Sequence, residues 1–255
     1  MVRRFTVAAR RKRVLQMMIA VAVSVFGLLI AAVPASASVP ASGSPFGGAW
    51  SLSQGFGQVV PDLSGHGLSA TLGSAPNNPT WIRGAFFGLP ALHFNGNDFL
   101  TVPDAPSLDS QQVTVGAIVR AGSSPGIYRY VAAKGAIQCF NPSYGLYTGT
   151  SGGLSFYVSD GPNSYTLSPD AGTGIWDGQW HVVVGTFDGS NVRLYVDGRQ
   201  VGSGTPSTTT IDYTTPDSNQ FAIGDYLGPC PNAMGFVGDM AGLAVKQGVT
   251  PSPFG

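Results

Sequence analysis

Residues Trp176 to Gly198 read WDGQWHVVVGTFDGSNVRLYVDG, and the alternation within them decides the class of fold. Val182, Val184 and Thr186 alternate with His181, Val183 and Phe187; after Asp188-Gly189-Ser190, Val192, Leu194 and Val196 alternate with Arg193 and Tyr195. Successive side chains of an extended chain point to opposite faces, so this spacing predicts a β-hairpin with one side turned to a core. Asp and Gly make the reversal because they tolerate the backbone angles a tight turn demands. Asp197-Gly198 then predicts a second reversal leading through Val201.

The same period runs upstream. Leu154, Phe156 and Val158 alternate with Ser155, Tyr157 and Ser159 until Asp160-Gly161-Pro162 breaks the run. Val113, Val115, Ala117 and Val119 form another set, and Leu92 and Phe94 precede the turn Asn95-Gly96-Asn97-Asp98, after which Phe99, Leu100 and Val102 resume. From Trp50 onward no 3.6-residue pattern is long enough for a helix. Many short strands punctuated by the chain's 36 glycines predict an all-β domain, a two-sheet antiparallel sandwich closed as a jelly roll.

The amino terminus has a different composition. Arg3, Arg4, Arg10, Arg11, Lys12 and Arg13 precede an apolar run from Val14 to Val33, which ends in Pro34 and Ala35-Ser36-Ala37. This reads as a secretory signal over residues 1–37 and predicts a secreted protein. The alternative is a membrane tether, since about 20 apolar residues can span a bilayer. Residues 38–48 (SVPASGSPFGG) are small and rich in Pro and Gly, and read as a flexible tether before a domain over 49–255.

Without residues 1–37, 218 residues remain, with seven Lys and Arg against 13 Asp, a formal net charge of −6. No basic stripe is left, so the mature chain implies neither a nucleic acid nor an anionic membrane surface as partner. Cys139 and Cys230 are the two cysteines, and in an oxidising compartment a single bridge between them is the expected pairing.

Several segments together resemble the laminin G-like jelly-roll domain of the concanavalin A-like lectin/glucanase superfamily. The most specific is the quoted stretch, with its Trp-His pair, Gly-Thr-Phe-Asp-Gly turn and Leu-Tyr-Val-Asp-Gly return. Around it, in matching order, lie DLSGHG (62–67), ALHFNGNDFLTVP (91–103), PSLDSQQVTVGAIVR (106–120), YGLYTGTSGGLSFYVSDG (144–161) and FVGDMAGLAV (236–245). The last departs from the family pattern, carrying Met240-Ala241-Gly242 where acidic residues commonly follow the Asp.

The resemblance implies a site for a structural calcium ion between the first and last strands, at Asp62 and Asp239. Main-chain carbonyls and water would complete its six to eight oxygens. It also implies carbohydrate recognition, on an extracellular or cell-wall glycan, with an extracellular protein as the rival partner. From the strand periods, Tyr128, Tyr130, Tyr157, Arg193 and Tyr195 form a candidate platform on which sugar rings could stack.

Glucanases of the superfamily use Glu-x-Asp-x-x-Glu, a pair of carboxylates flanking the scissile bond. This chain contains no glutamate, and its aspartates fall mostly in turns. The expectation is therefore a domain that is not an enzyme, with an aspartate-based glycoside hydrolase as the less favoured alternative.

Overall fold

The computed structural model describes residues 44–231 and 233–249. Among them the chain forms β1 (Phe46–Ser51), β2 (Val59–Val60), β3 (Ala70–Leu72), β4 (Thr80–Phe86), β5 (Leu89–Asn95), β6 (Leu100–Val102), β7 (Val113–Arg120), β8 (Tyr130–Ala136) and β9 (Tyr144–Thr148). It continues through β10 (Leu154–Gly161), β11 (Ser164–Leu167), β12 (His181–Phe187), β13 (Asn191–Val196), β14 (Arg199–Gln200), β15 (Thr205–Pro206), β16 (Ser218–Ile223) and β17 (Val237–Gln247). Two single 3-10 turns, Pro106–Leu108 and Thr173–Ile175, are the helical pieces of the described residues.

Two antiparallel sheets result. One follows the order β14-β13-β12-β7-β17-β5-β4, with β1 added on β17 and β15 on β13; the other runs β11-β10-β9-β8-β16-β6-β3-β2. The sandwich is the predicted one, and the quoted stretch forms its hairpin: β12 and β13 pair from Val183↔Val196 to Phe187↔Val192.

The core is the space between the sheets, filled by the inward members of each alternation. Val113, Val115, Ala117 and Val119 of β7 and Val192 and Leu194 of β13 meet Leu154, Phe156 and Val158 of β10, all fully buried. Each of these valines, leucines and Phe156 contributes roughly 1.5–3 kcal/mol of burial. Trp50 closes one part of this core, stacked on Phe221 with ring centroids 5.6 Å apart and its indole N–H donating to the Leu68 carbonyl at 2.7 Å.

The amino-terminal boundary differs from expectation. β1 starts at Phe46, inside the stretch read as a tether, and pairs with β17 from Phe46↔Lys246 to Ser51↔Gly242. Glycine is needed here for close approach rather than looseness: a Cβ on Gly47 would lie 1.9 Å from the Ser107 carbonyl oxygen. The expected signal over residues 1–37 falls outside the described residues. Among the described residues, no helix is long and apolar enough to cross a membrane.

Candidate functional site

The outer face of the eight-stranded sheet is walled with tyrosine. Because Leu154, Phe156 and Val158 point inward, Tyr157 points out, where it meets Tyr130, Tyr147 and Tyr165. Ring centroids lie 5.2 Å apart for Tyr147 and Tyr157, 5.4 Å for Tyr130 and Tyr147, and 5.0 Å for Tyr130 and Tyr226. The Tyr147–Tyr157 pair is edge-to-face, the arrangement favoured by the positive rim and negative face of aromatic rings.

Small neighbours make the room. A Cβ on Gly145 would come within 2.8 Å of the Tyr157 hydroxyl. Burial drives the hydroxyls of Tyr130 and Tyr157 well above the ordinary tyrosine pKa, and Tyr226 is pushed up to about 12. These groups stay neutral phenols, able to donate, through the physiological range.

A cover lies over part of this wall. The segment joining β16 to β17 carries Tyr226, Cys230 and Met234 against the tyrosines. The expected bridge joins Cys139 and Cys230, with Cα atoms 5.1 Å apart, and so fastens the cover to the β8–β9 connection. Tyr226 fastens it a second time: its hydroxyl accepts from the Ile137 amide at 2.8 Å and donates to the Phe140 carbonyl at 2.9 Å.

Beyond the cover the wall opens. Tyr165 is 43% exposed and Tyr128 is 42% exposed. Tyr147 stands between their influences: burial raises its pKa most, the charges of Tyr165, Tyr128 and Asp170 raise it further, and a hydrogen bond with Asn141 opposes them. Tyr128 holds φ at +55°, a left-handed conformation uncommon for a bulky residue, with its amide donating to the Thr148 carbonyl at 2.9 Å. Asp170 accepts from the Gly172 amide at 2.6 Å and from the Ser151 hydroxyl.

The expected platform is therefore divided. Tyr130 and Tyr157 share a face, but both are buried beneath neighbouring rings and the cover and cannot stack on a ligand, while Tyr128 stands exposed in the turn before β8. Arg193 and Tyr195 belong to β13 of the other sheet, where Arg193 pairs with Asp188, so they are not part of this surface. Tyr165 and the half-buried Asn141 belong to it and were missed, with Tyr147 buried behind them. Their signal was faint, since Tyr165 sits on a four-residue edge strand paired with Ser159.

The calcium expectation does not fit the donor sets. Asp62 accepts from the amides of Ala49 (3.1 Å), Ser64 (2.8 Å) and Leu68 (3.1 Å) and from the Ser64 hydroxyl (2.8 Å). Asp239 accepts from Arg120 Nε at 2.8 Å and Nη2 at 2.6 Å, with His93 Nδ1 2.8 Å away. Both carboxylates are thus occupied by N–H and O–H donors, where a hard cation needs free oxygens. They also sit apart: Trp50, which bridges to Asp62, pairs with Leu243, four residues along β17 from Asp239. Among the described residues, no group of three or more His, Cys, Asp or Glu is placed to hold a metal.

At the end of the sandwich beside the cover is a cavity of about 350 Å³, lined among others by Gly96, Asn97, Asp225, Tyr226 and Met234. Burial raises the Asp225 carboxyl to a pKa of about 6; the Tyr226 amide and the Arg129 charge oppose this, and the charge of Asp98 adds to it. A second cavity, of about 430 Å³, is lined by His93, Arg120, Asp239, Ser123 and Ser124 among others. There the Arg120 guanidinium lies 4.7 Å above the Trp180 ring while it holds Asp239.

Set beside known proteins, residues 94–249 match the laminin G-type family model described as the concanavalin A-like lectin/glucanases superfamily. The chain belongs to this superfamily. Among curated proteins, none matches its sequence. Of solved structures, domain 4 of AbnA, a GH43 extracellular arabinanase from Geobacillus stearothermophilus, in complex with arabinotriose, aligns with a TM-score of 0.60 and 16% identity, over 82% of this chain and 96% of that one. Trypanosoma rangeli sialidase in complex with the inhibitor DANA aligns with a TM-score of 0.55 and 20% identity, over 94% of this chain and 38% of the sialidase chain. The binding domain of botulinum neurotoxin DC in complex with rat synaptotagmin II aligns with a TM-score of 0.59 and 12% identity, over 83% of this chain and 51% of that one.

These likenesses correct one expectation. A superfamily member was expected not to be an enzyme because it lacks glutamate, but its fold is shared with a domain of an arabinanase and with sialidase chains. The fold does not set this chain apart from enzymes, and function must be argued from the site.

Proposed function

We propose that the chain is an exported carbohydrate-recognition domain that binds a glycan on the open part of the tyrosine wall, between Tyr128 and Tyr165. The observation that carries this reading is the exposure of two tyrosine rings, Tyr128 and Tyr165, each near enough to the buried Tyr147 to act on it electrostatically, with the half-buried Asn141 beside that residue. Sugar rings present apolar C–H faces and a fringe of hydroxyls, which such a surface matches by stacking and hydrogen bonding. The left-handed backbone at Tyr128 supports the reading, because strained conformations gather at functional sites. So does the arabinotriose bound to the arabinanase domain that shares the fold. The signal-like residues 1–37 and the Cys139–Cys230 bridge agree with export to an oxidising compartment.

The test is electrophoresis of the purified chain through gels containing arabinan, xylan, mannan or β-glucan. Retardation by at least one polysaccharide is expected, and its loss in a Tyr128→Ala/Tyr165→Ala variant. Migration unaffected by every polysaccharide would count against the proposal.

A polypeptide ligand is the second reading, favoured by the exposed side chains of Phe56 (74%) and Phe87 (54%). Under it, the same gels show no retardation while a Phe56→Ser/Phe87→Ser variant loses a protein partner that the parent chain retains.

A further inference from the structure

Three neighbouring strands of the nine-stranded sheet set one polar residue each in a single row. Asp239 of β17 is the cross-strand partner of Arg120 on β7 and of His93 on β5. Leu92, Phe94, Val119 and Met240 beside them point into the core, so the row lies on the outer face. Asp239 gathers both neighbours: Oδ2 accepts from Arg120 Nε at 2.8 Å and Nη2 at 2.6 Å, and Oδ1 is 2.8 Å from His93 Nδ1. The Trp180 ring, 4.7 Å from the guanidinium carbon, holds Arg120 from another side. A guanidinium fixed in this way loses little freedom when a ligand meets it.

The row keeps two nitrogens free. Among the described residues, nothing bonds Arg120 Nη1 or His93 Nε2, and the two side chains are 30% and 48% exposed. A carboxylate only accepts, so the neutral imidazole carries its proton on Nδ1, toward Asp239, and has Nε2 as an acceptor. A donor at Arg120 and an acceptor at His93 thus belong to residues that both line the cavity of about 430 Å³. Ser123, also in the lining and exposed, adds a hydroxyl that can do either, and the exposed Val237 adds apolar surface.

Charge narrows what can fill this space. Arg120, Asp239 and His93 are the titratable residues of the lining, and the first two cancel in direct contact. With a neutral imidazole the row has no net charge to draw in an ion of either sign. A neutral group with several hydroxyls fits it, one hydroxyl accepting from the guanidinium and another donating to the imidazole.

The β7–β8 loop connects the cavity to the exposed Tyr128. Ser123, Ser124 and Pro125 are in the lining, and Tyr128 follows three residues later, a reach of at most about 11 Å. The loop is fastened at both places: the Ser124 hydroxyl donates to the Gly152 carbonyl at 2.8 Å, and the Tyr128 amide to the Thr148 carbonyl at 2.9 Å.

We infer that the cavity over His93, Asp239 and Arg120 is a subsite for one neutral sugar unit of a glycan whose next units lie against Tyr128. Arg120 donates to one hydroxyl of that unit and His93 accepts from another. The inference deepens the carbohydrate reading and rests on it, and makes the ligand an uncharged chain of more than one unit.

The test is amide NMR of the full chain during titration with arabinotriose, xylotriose, mannotriose and cellotriose at millimolar concentration, with trigalacturonate as the charged counterpart. The inference expects at least one neutral trisaccharide to shift the amides of His93, Gly122, Ser123 and Gly238 together with that of Tyr128. Affinity should fall about fivefold in His93→Ala, the scale of losing one hydrogen bond. Gly122→Leu tests the space without touching the row, because Gly122 lines the cavity and a Cβ there meets no atom within 4 Å. It should abolish the shifts at His93 and Gly238, keep those at Tyr128 and leave thermal unfolding in place. Shifts confined to the surroundings of Tyr128 and Tyr165 would overturn the subsite and leave the carbohydrate reading standing. Full affinity in both variants, tighter binding of trigalacturonate than of every neutral trisaccharide, or no shift with any of them would also overturn it; the gel assay decides the broader reading separately.

Discussion

Cys139 and Cys230 are joined from the β8–β9 connection to the β16–β17 connection, so one covalent bond fixes how much of the tyrosine wall is covered. The bridge closes a separation of 91 residues, and a link that long restricts the unfolded chain strongly. Cys139→Ser/Cys230→Ser should lower unfolding free energy by about 2–4 kcal/mol, read by urea denaturation. Hydrogen exchange at residues 226–231 should quicken along with it. Unchanged exchange there would mean that the hydroxyl of Tyr226 holds the cover unaided.

Gly145 and Tyr157 give a test of the wall itself. A methyl group at 145 would stand 2.8 Å from the Tyr157 ring and 2.8 Å from the Ala132 carbonyl. Gly145→Ala should therefore cost about 1–3 kcal/mol, the usual penalty of overpacking, as measured by thermal or urea unfolding. A neutral result would mean that Tyr157 can vacate its position.

His181 gives a pH-dependent prediction. Burial pulls its pKa down, but the hydrogen bond and charge of Asp197 (2.8 Å) and those of Asp177 (3.1 Å) outweigh it and leave it raised above 6.5. A raised histidine adds stability that is fully present below the unfolded value and is lost as pH rises through the folded one. His181→Gln should thus be more destabilised relative to the parent at about pH 5.5 than at about pH 8. An equal difference at both would remove the ion pairs from the account.

Asp225 gives the same sign of pH dependence, but its ionised form costs stability, so its substitution has the opposite effect. Its folded pKa of about 6 exceeds the ordinary 3.8, so the folded chain holds the extra proton between those values, and stability declines as pH climbs through that window. Asp225→Asn removes the cost, and at neutral pH it should stabilise the chain by about 1–2 kcal/mol after allowance for partial exposure. Near pH 4 the gain should vanish.

Much of the architecture was legible in the sequence, because a period of two needs no distant information. The inward sets on β7, β10 and β13 lie in the core as their spacing predicts. The cysteine pairing was equally legible, since the chain has only two. What the sequence concealed depends on contacts between remote segments. Tyr130 and Tyr157 share the outward face with Tyr165, yet they are buried because the segment after β16 folds back over them. Asp62 resembles a metal ligand until the amides of Ala49, Ser64 and Leu68 are seen to converge on it. Phe46-Gly47-Gly48 reads as a tether until β17 lies beside it.

Carbohydrate recognition on the tyrosine wall is tested most directly by pull-down on insoluble polysaccharide, with the bound fraction converted to a dissociation constant for the parent chain, Tyr128→Ala and Tyr165→Ala. The account predicts retention of the parent and about tenfold weaker binding in each variant, the scale of losing one ring's apolar contact. Retention by a polysaccharide with the same constant in all three proteins would contradict it.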